Sequence, residues 1–134
     1  MRFFFVIAIL SLVCVLHAQD TIPVKQYYEL EGKGGILADS VRRDWLANEY
    51  NDLLKKYRVT VNCAHCDAFY IEVVLDIDIT GKLKGYRVAN SNCCDKRLDE
   101  QLQEDFMKHF KTVRFPPGLS GFKWQLRLGE VLKC

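Results

Sequence analysis

The chain between residues 36 and 57 carries apolar positions with the period of an amphipathic helix. The apolar residues recur at spacings of three and four, at Val41, Trp45, Leu46, Tyr50, Leu53, Leu54 and Tyr57. This spacing places one apolar stripe along an α-helix. Asp39 or Ser40 is the expected N-cap, because short polar side chains accept hydrogen bonds from the backbone N–H groups at a helix start.

A pattern of period two follows and predicts a β-hairpin. Every second residue from Phe69 to Ile79 is apolar, and acidic or polar residues lie between them at Tyr70, Glu72, Asp76 and Asp78. This alternation is typical of a strand with one buried face. Thr80-Gly81 predicts a two-residue turn, since glycine takes the positive φ that such turns need. Leu83 to Ser91 is the predicted return strand, with Tyr86 and Val88 facing the core and Gly85 as a candidate bulge.

The last forty residues predict a second helix and a third strand. Asp95 is the expected cap, and the apolar stripe of the helix consists of Leu98, Leu102, Phe106 and Phe110. The run Phe115-Pro116-Pro117-Gly118 ends this helix, because proline cannot continue one. Alternation then returns, with Phe122, Trp124, Leu126 and Leu128 on one face and Lys123, Gln125 and Arg127 on the other.

The order helix, strand, strand, helix, strand predicts an α+β fold in two layers, with two helices packed on a three-stranded antiparallel sheet. Charge predicts the order of the strands. The solvent face of the first strand is acidic, whereas the second offers Lys82, Lys84 and Arg87 and the third Lys123 and Arg127. Opposite charges on neighbouring strands stabilise their pairing. The predicted order is therefore second, first, third, with the third strand at an edge.

The N-terminus resembles an export signal. Residues 3–16 form an almost unbroken apolar run after Arg2, and the run is too short to span a bilayer. We expect a signal peptide at residues 1–18, an extended lead-in at 19–35 and one domain at 36–134, in the periplasm or outside the cell; a retained anchor is the alternative. Without Arg2 the chain has 18 basic and 17 acidic residues, which argues against nucleic acid as a partner.

Five cysteines remain after residue 18, and the predicted sheet gathers them. With a two-residue turn, paired residues of the hairpin have numbers that total about 161, so Val73 meets Val88, Leu75 meets Tyr86 and Asp67 meets Cys94. An antiparallel third strand ends at the same side. We therefore expect five sulfurs at one end of the sheet, at Cys63, Cys66, Cys93, Cys94 and Cys134.

Three interpretations of this cluster remain open. Disulfides fit an oxidising compartment and the spacing of paired strands, and the odd cysteine is then free or joins two molecules. A zinc site is the first alternative, with Cys63, Cys66 and one or both of Cys93 and Cys94 as ligands, together with His65. Thiol–disulfide exchange through Cys63 and Cys66 is the second, although its motif opens a strand instead of a helix.

The chain resembles the C-terminal domain of TonB-type energy transducers, the TonB/TolA type of fold. The resemblance covers about residues 34–132 and rests on Gly34-Gly35-Ile36, the run from Val73 to Lys82, Leu98-Asp99-Glu100, Phe115 to Gly118, and the alternation from Phe122 to Leu128. The signal ending in Ala18-Gln19 is similar to those of Bacteroidota. The resemblance implies a periplasmic module whose edge strand pairs with a short peptide, such as one from an outer-membrane receptor of TonB-dependent transport.

The sequence therefore predicts a protein-binding module, not an enzyme. No set of nucleophile, base and orienting residue is visible, and we expect no catalytic residue, no cofactor and, under the disulfide interpretation, no metal. Once the signal is removed, we expect a protein that is not integral to the membrane. The predicted partner-binding strand consists of Lys123, Trp124, Gln125, Leu126, Arg127 and Leu128. A metal-binding or thiol-redox protein that uses Cys63, Cys66, Cys93 and Cys94 is the alternative.

Overall fold

The structure is a computed structural model that describes residues 24–26, 30, 32–94 and 98–134. The predicted signal peptide and part of the lead-in lie outside these residues. Within the described part of the chain, no helix has both the length and the apolar character needed to cross a bilayer.

The fold is α+β, with helices packed against one four-stranded sheet. The strands are β1 (Val24–Gln26), β2 (Ala68–Ile77), β3 (Leu83–Cys93) and β4 (Lys123–Val131). They lie in the order β1-β4-β2-β3. The predicted order of the three long strands is confirmed. The prediction of a three-stranded, purely antiparallel sheet is wrong, because β1 adds a fourth strand that runs parallel to β4.

The hairpin of β2 and β3 has the predicted register near its middle. Val73 pairs with Val88 and Leu75 with Tyr86, while Phe69 pairs with Cys93 because the register shifts by one residue between Glu72 and Val73. A second shift lies between Asp76 and Ile77, where Gly85 is the partner of Asp76, so the irregularity adjoins the predicted bulge.

The turn of this hairpin is longer than predicted. The Asp78 carboxylate accepts hydrogen bonds from the backbone N–H groups of Thr80 (2.8 Å) and Lys82 (3.0 Å). This local network ends β2 at Ile77, so Ile79 lies in the loop and is 89% exposed instead of facing the core. Gly81 has a φ of 82°, the left-handed conformation that glycine adopts most easily.

The first part of the helical layer is one continuous run of helix. It comprises α1 (Lys33–Trp45), a π-helical segment (Leu46–Tyr50) and α2 (Asn51–Tyr57). It begins earlier than predicted, with Gly32 as its N-cap, so Asp39 and Ser40 lie inside the helix and neither caps it. A Cβ on Gly35 would lie 2.4 Å from the Leu30 carbonyl oxygen, so the chain preceding α1 approaches the helix more closely than another side chain permits.

The π-helical segment has a packing reason. In an α-helix, residues five apart point about 140° away from each other, because each residue turns about 100°. A π-helical turn brings such residues closer to one face. Trp45 and Tyr50 are both buried, and their ring centroids lie 5.8 Å apart.

The second part of the helical layer is α3 (Glu100–Met107), which is followed by short 3₁₀ turns at His109–Lys111 and Pro117–Leu119. Its cap is Asp99, whose side chain accepts a 2.7 Å hydrogen bond from the Leu102 N–H. The predicted cap, Asp95, lies outside the described residues. The predicted apolar stripe is confirmed, since Leu102, Phe106 and Phe110 are buried and Leu98 packs against them.

Aromatic side chains join the two layers. Phe106 stacks on Trp45, with 5.6 Å between ring centroids, and lies 5.5 Å from the ring of Phe69 on β2. The Trp45 indole N–H donates to the Phe106 carbonyl oxygen at 3.1 Å. Because this core lies on one face of the sheet, the other face carries the polar residues of β2 and β4.

Candidate functional site

The predicted binding strand is β4, and its side chains alternate as expected. Trp124, Leu126 and Leu128 are buried against the helices. On the other face, Arg127 pairs with Glu72 of β2, through Nη2 at 2.6 Å and Nε at 2.9 Å from Oε1. The Lys123 ammonium nitrogen lies 3.9 Å from an Asp76 carboxylate oxygen. The acidic character of β2 therefore holds β4 in register, as the charge pattern predicted.

Hydrogen bonding fixes the directions in which the β4 backbone groups point. The Leu132 N–H donates to the backbone carbonyl oxygen of Asp67 at 2.8 Å. From this point to Lys123, β2 and β4 pair in a constant register. In an antiparallel pair, hydrogen-bonded residues alternate along the strand. The backbone groups of Trp124, Leu126 and Leu128 therefore point to β2, and those of Lys123, Gln125 and Arg127 point to the opposite side.

The structure corrects the prediction that the whole of β4 lies at an open edge. β1 occupies that side along Lys123–Gln125, in parallel register. From Leu126 to Val131, no strand among the described residues pairs with β4 on that side. The sequence did not reveal β1, because three residues are too few to establish a period of two.

The five cysteines converge at one end of the sheet, as predicted. Disulfides join Cys63 to Cys134 and Cys66 to Cys94, with Cα–Cα distances of 5.6 and 5.2 Å. The first bond ties the loop before β2 to Cys134, three residues after β4. The second ties the same loop to the end of β3. The prediction of disulfides is confirmed, and the pairing that the sequence left open is now defined.

A compact loop separates the two bonded cysteines of the Cys63-Ala64-His65-Cys66 motif. The Asn62 side-chain oxygen accepts from the backbone N–H groups of Ala64 (3.0 Å) and His65 (2.9 Å), and Asn62 forms an isolated bridge with Cys66. This turn exposes Cys63 and buries Cys66. The two sulfurs take different partners, so in this structure the motif is not the internal disulfide of a thiol-exchange centre.

Cys93 is the cysteine without a disulfide among the described residues, and its thiol lies in the core at 2% exposure. Burial raises the pKa of this thiol to about 11, and the negative charge of Asp99 adds to the effect. A thiol with such a pKa is a poor nucleophile and a poor metal ligand at neutral pH. In the described ranges, no group of three or more His, Cys, Asp and Glu side chains is placed to hold a metal ion.

His109 lies between two carboxylates of the first helical run. Its Nε2 lies 3.4 Å from an Asp44 carboxylate oxygen and its Nδ1 lies 3.5 Å from one of Glu49. The imidazole therefore links the 3₁₀ turn after α3 to the first helical run. Its edge-on contact with Phe110 identifies it as a packing residue at the helix junction.

Comparisons of the chain with protein-family models, with curated proteins and with solved structures gave no match. A functional assignment therefore rests on the β4 edge and the cysteine cluster.

Proposed function

We propose that the protein is a non-enzymatic binding module of the cell envelope that receives an extended segment of a protein partner along the outer edge of β4. The resemblance to the C-terminal domain of TonB-type transducers implies the same mode of binding, with an outer-membrane receptor as the kind of partner. Two disulfides support an oxidising compartment, such as the periplasm or the extracellular space.

The observation that carries the proposal is the pairing of β1 with β4. β1 is a short extended segment that pairs with this edge in regular register, as a partner strand would. β4 then continues for six residues, Leu126 to Val131, beyond the last described residue that β1 pairs with. Edge strands offer unsatisfied backbone groups to an added strand, and these groups supply most of the affinity in β-strand addition.

The side chains around this edge provide the means for selectivity. On the outer face, the Arg127 guanidinium lies over the Tyr70 ring at 4.8 Å and pairs with Glu72. On the inner face, Phe122 is half-buried, whereas Val131 shares the outer face with Arg127 and is exposed near the far end of the strand. A bound strand would place alternate side chains against these two groups of residues.

Arg127→Pro tests the proposal most directly. The Arg127 N–H points away from β2, so proline at this position removes a donor from the outer edge and leaves the β2–β4 ladder intact. We expect partner capture from a cell-envelope extract to fall at least about tenfold, because a lost edge hydrogen bond and a steric clash with the incoming strand together exceed about 1.4 kcal/mol.

Arg127→Ala is the matched control. It also removes the ion pair with Glu72 and the contact with Tyr70, but it keeps the backbone N–H. We expect it to capture the partner nearly as well as the wild-type protein, and both variants must retain the cooperative thermal unfolding of the folded chain. Equal capture by Arg127→Pro and Arg127→Ala would show that the edge is not the binding site.

A further inference from the structure

β1 occupies the same edge at which we propose that a partner binds. We infer that β1 is an intramolecular occupant of the β4 edge and must leave before a partner strand can pair along the full length of β4. This inference rests on the proposed function and adds its regulation, because β1 competes with the partner strand for the β4 edge.

Lys25 is the β1 residue that holds this segment to β4. Val24 pairs with Lys123, Lys25 with Trp124 and Gln26 with Gln125. In a parallel pair, one residue of a strand bonds to the two residues that flank its partner. Since the backbone groups of Lys123 and Gln125 point to β1, the N–H and C=O of Lys25 are the groups that meet them. The N–H of Gln26 then points away from β4.

The two described side chains of β1 are exposed. Val24 is 39% exposed and Lys25 is also exposed. The Lys25 ammonium group lies 5.1 Å from the centroid of the Phe122 ring, and such contacts contribute about 0.5–1 kcal/mol at exposed sites. Three paired residues and one such contact leave β1 at the low end of local stability in the fold.

The segment that follows β1 is anchored differently. Leu30 is only 9% exposed and belongs to the hydrophobic core, and its carbonyl carbon and oxygen lie against Gly35 of α1. Among the described residues, the core contact of this segment lies at Leu30, four residues beyond Gln26, so we expect β1 to leave without opening the core. The first helix and the three long strands keep their packing when β1 leaves.

Release changes the edge in two ways. The outward backbone groups of Lys123 and Gln125 join those of Arg127, so the edge that no described strand pairs with grows from Leu126–Val131 to the whole of β4. The Phe122 ring also loses the Lys25 ammonium group. A segment that replaces β1 in the same register would be extended, parallel to β4, and would carry a lysine or arginine over Phe122.

The test uses Lys25→Pro in the full chain and the sequence of β1 itself as the probe. Proline at position 25 removes the N–H that β1 donates to β4, so β1 should leave the edge. A synthetic peptide of residues 21–28, Thr-Ile-Pro-Val-Lys-Gln-Tyr-Tyr, is titrated into each protein to millimolar concentration, with the amide signals of β4 observed by NMR. We expect Lys25→Pro to bind the peptide at least about tenfold more tightly than the wild-type protein, because an occupied site lowers apparent affinity by its open fraction.

Two controls separate occlusion from other effects. Gln26→Pro also carries a proline in β1, but its missing N–H points away from β4, so its affinity should stay within about threefold of the wild type. Lys25→Ala removes only the ammonium group and should produce a small gain, in line with the contact over Phe122. Equal affinity of Lys25→Pro and wild type, or no binding to Lys25→Pro, would overturn the inference. Neither result would alter the comparison of Arg127→Pro with Arg127→Ala, which tests the proposed function separately.

Discussion

Cys93 differs from the other cysteines at its end of the sheet because its side chain points into the core. Its neighbour Cys94 has a φ of 58°, which turns the chain away from the ladder and towards Cys66. Two adjacent cysteines thus have opposite roles, one in packing and one in a covalent link.

At the cysteine end of the sheet, a register shift of one residue decides how far the sequence prediction holds. The register predicted that Asp67 would lie opposite Cys94, whereas the Cys94 N–H reaches the Ala68 oxygen at 3.3 Å. The difference is the one-residue shift at Glu72 and Val73. A bulge of this kind depends on local backbone geometry, so periodicity showed the convergence of the sulfurs but not their partners.

The raised pKa of Cys93 predicts that its thiol reacts slowly with alkylating reagents. In protein that begins at Gln19, iodoacetamide at pH 8 should modify native Cys93 at least about 100-fold more slowly than a free cysteine, because a pKa of about 11 leaves about one thiolate in a thousand. Unfolding in urea without reductant should give one adduct per chain, as measured by intact mass. Three or five labelled thiols per chain, or zinc in the native protein, would instead favour the metal or redox alternative.

The elements of the fold differ in how clearly the sequence pattern predicts them. β2 and β4 are long enough for alternation to be unmistakable, and both were predicted within a few residues. β1 has only three residues and is defined by its pairing with β4, a contact between segments about a hundred residues apart. The π-helical segment was also missed, since the spacing from Leu46 to Tyr50 fits an ordinary helix equally well.

The start of the first helix was predicted three residues late. Gly34 and Gly35 indicated a loop, because glycine is unfavourable inside helices. In the structure they lie in the first turn of α1, and at Gly35 the Leu30 backbone approaches too closely for a larger residue. Tertiary contact therefore overrides local propensity at this position.

The disulfides join elements that are distant in sequence, so their removal should lower the free energy of unfolding. The two bonds span 71 and 28 residues, for which chain entropy predicts losses of about 4 kcal/mol each, somewhat more for the longer loop. We expect Cys63→Ala/Cys134→Ala and Cys66→Ala/Cys94→Ala to lower the free energy of unfolding by about 2–4 kcal/mol in urea titrations. Unchanged midpoints in both variants would show that the bonds do not stabilise the fold.

Cys93→Ala is the control for this pair of variants. It keeps both disulfides and removes one buried sulfur from the core. Its loss of stability should come from the small cavity alone, about 1–2 kcal/mol. A larger loss than in either double variant would mean that packing around Cys93, and not the covalent links, holds this end of the sheet together.

At the scale of the whole molecule, the sheet has two distinct regions. One is the end that the disulfides cross-link, and the other is the β4 edge, part of which the weakly held β1 covers. The α+β class, the two layers and the order of the long strands all followed from periodicity and charge. The state of the edge did not, because it depends on whether a distant segment covers it. The proposed binding function and its occlusion by β1 both depend on that edge.

Amide hydrogen exchange along β4 tests this central claim most directly. The N–H groups of Leu126 and Leu128 bond to β2, whereas that of Arg127 points to the outer edge. We expect Arg127 to exchange at least about 100-fold faster than Leu126 and Leu128, and Gln125 to exchange at a rate between them because β1 opens locally. Protection of Arg127 equal to that of Leu126 would mean that the edge is already covered, and would contradict the account.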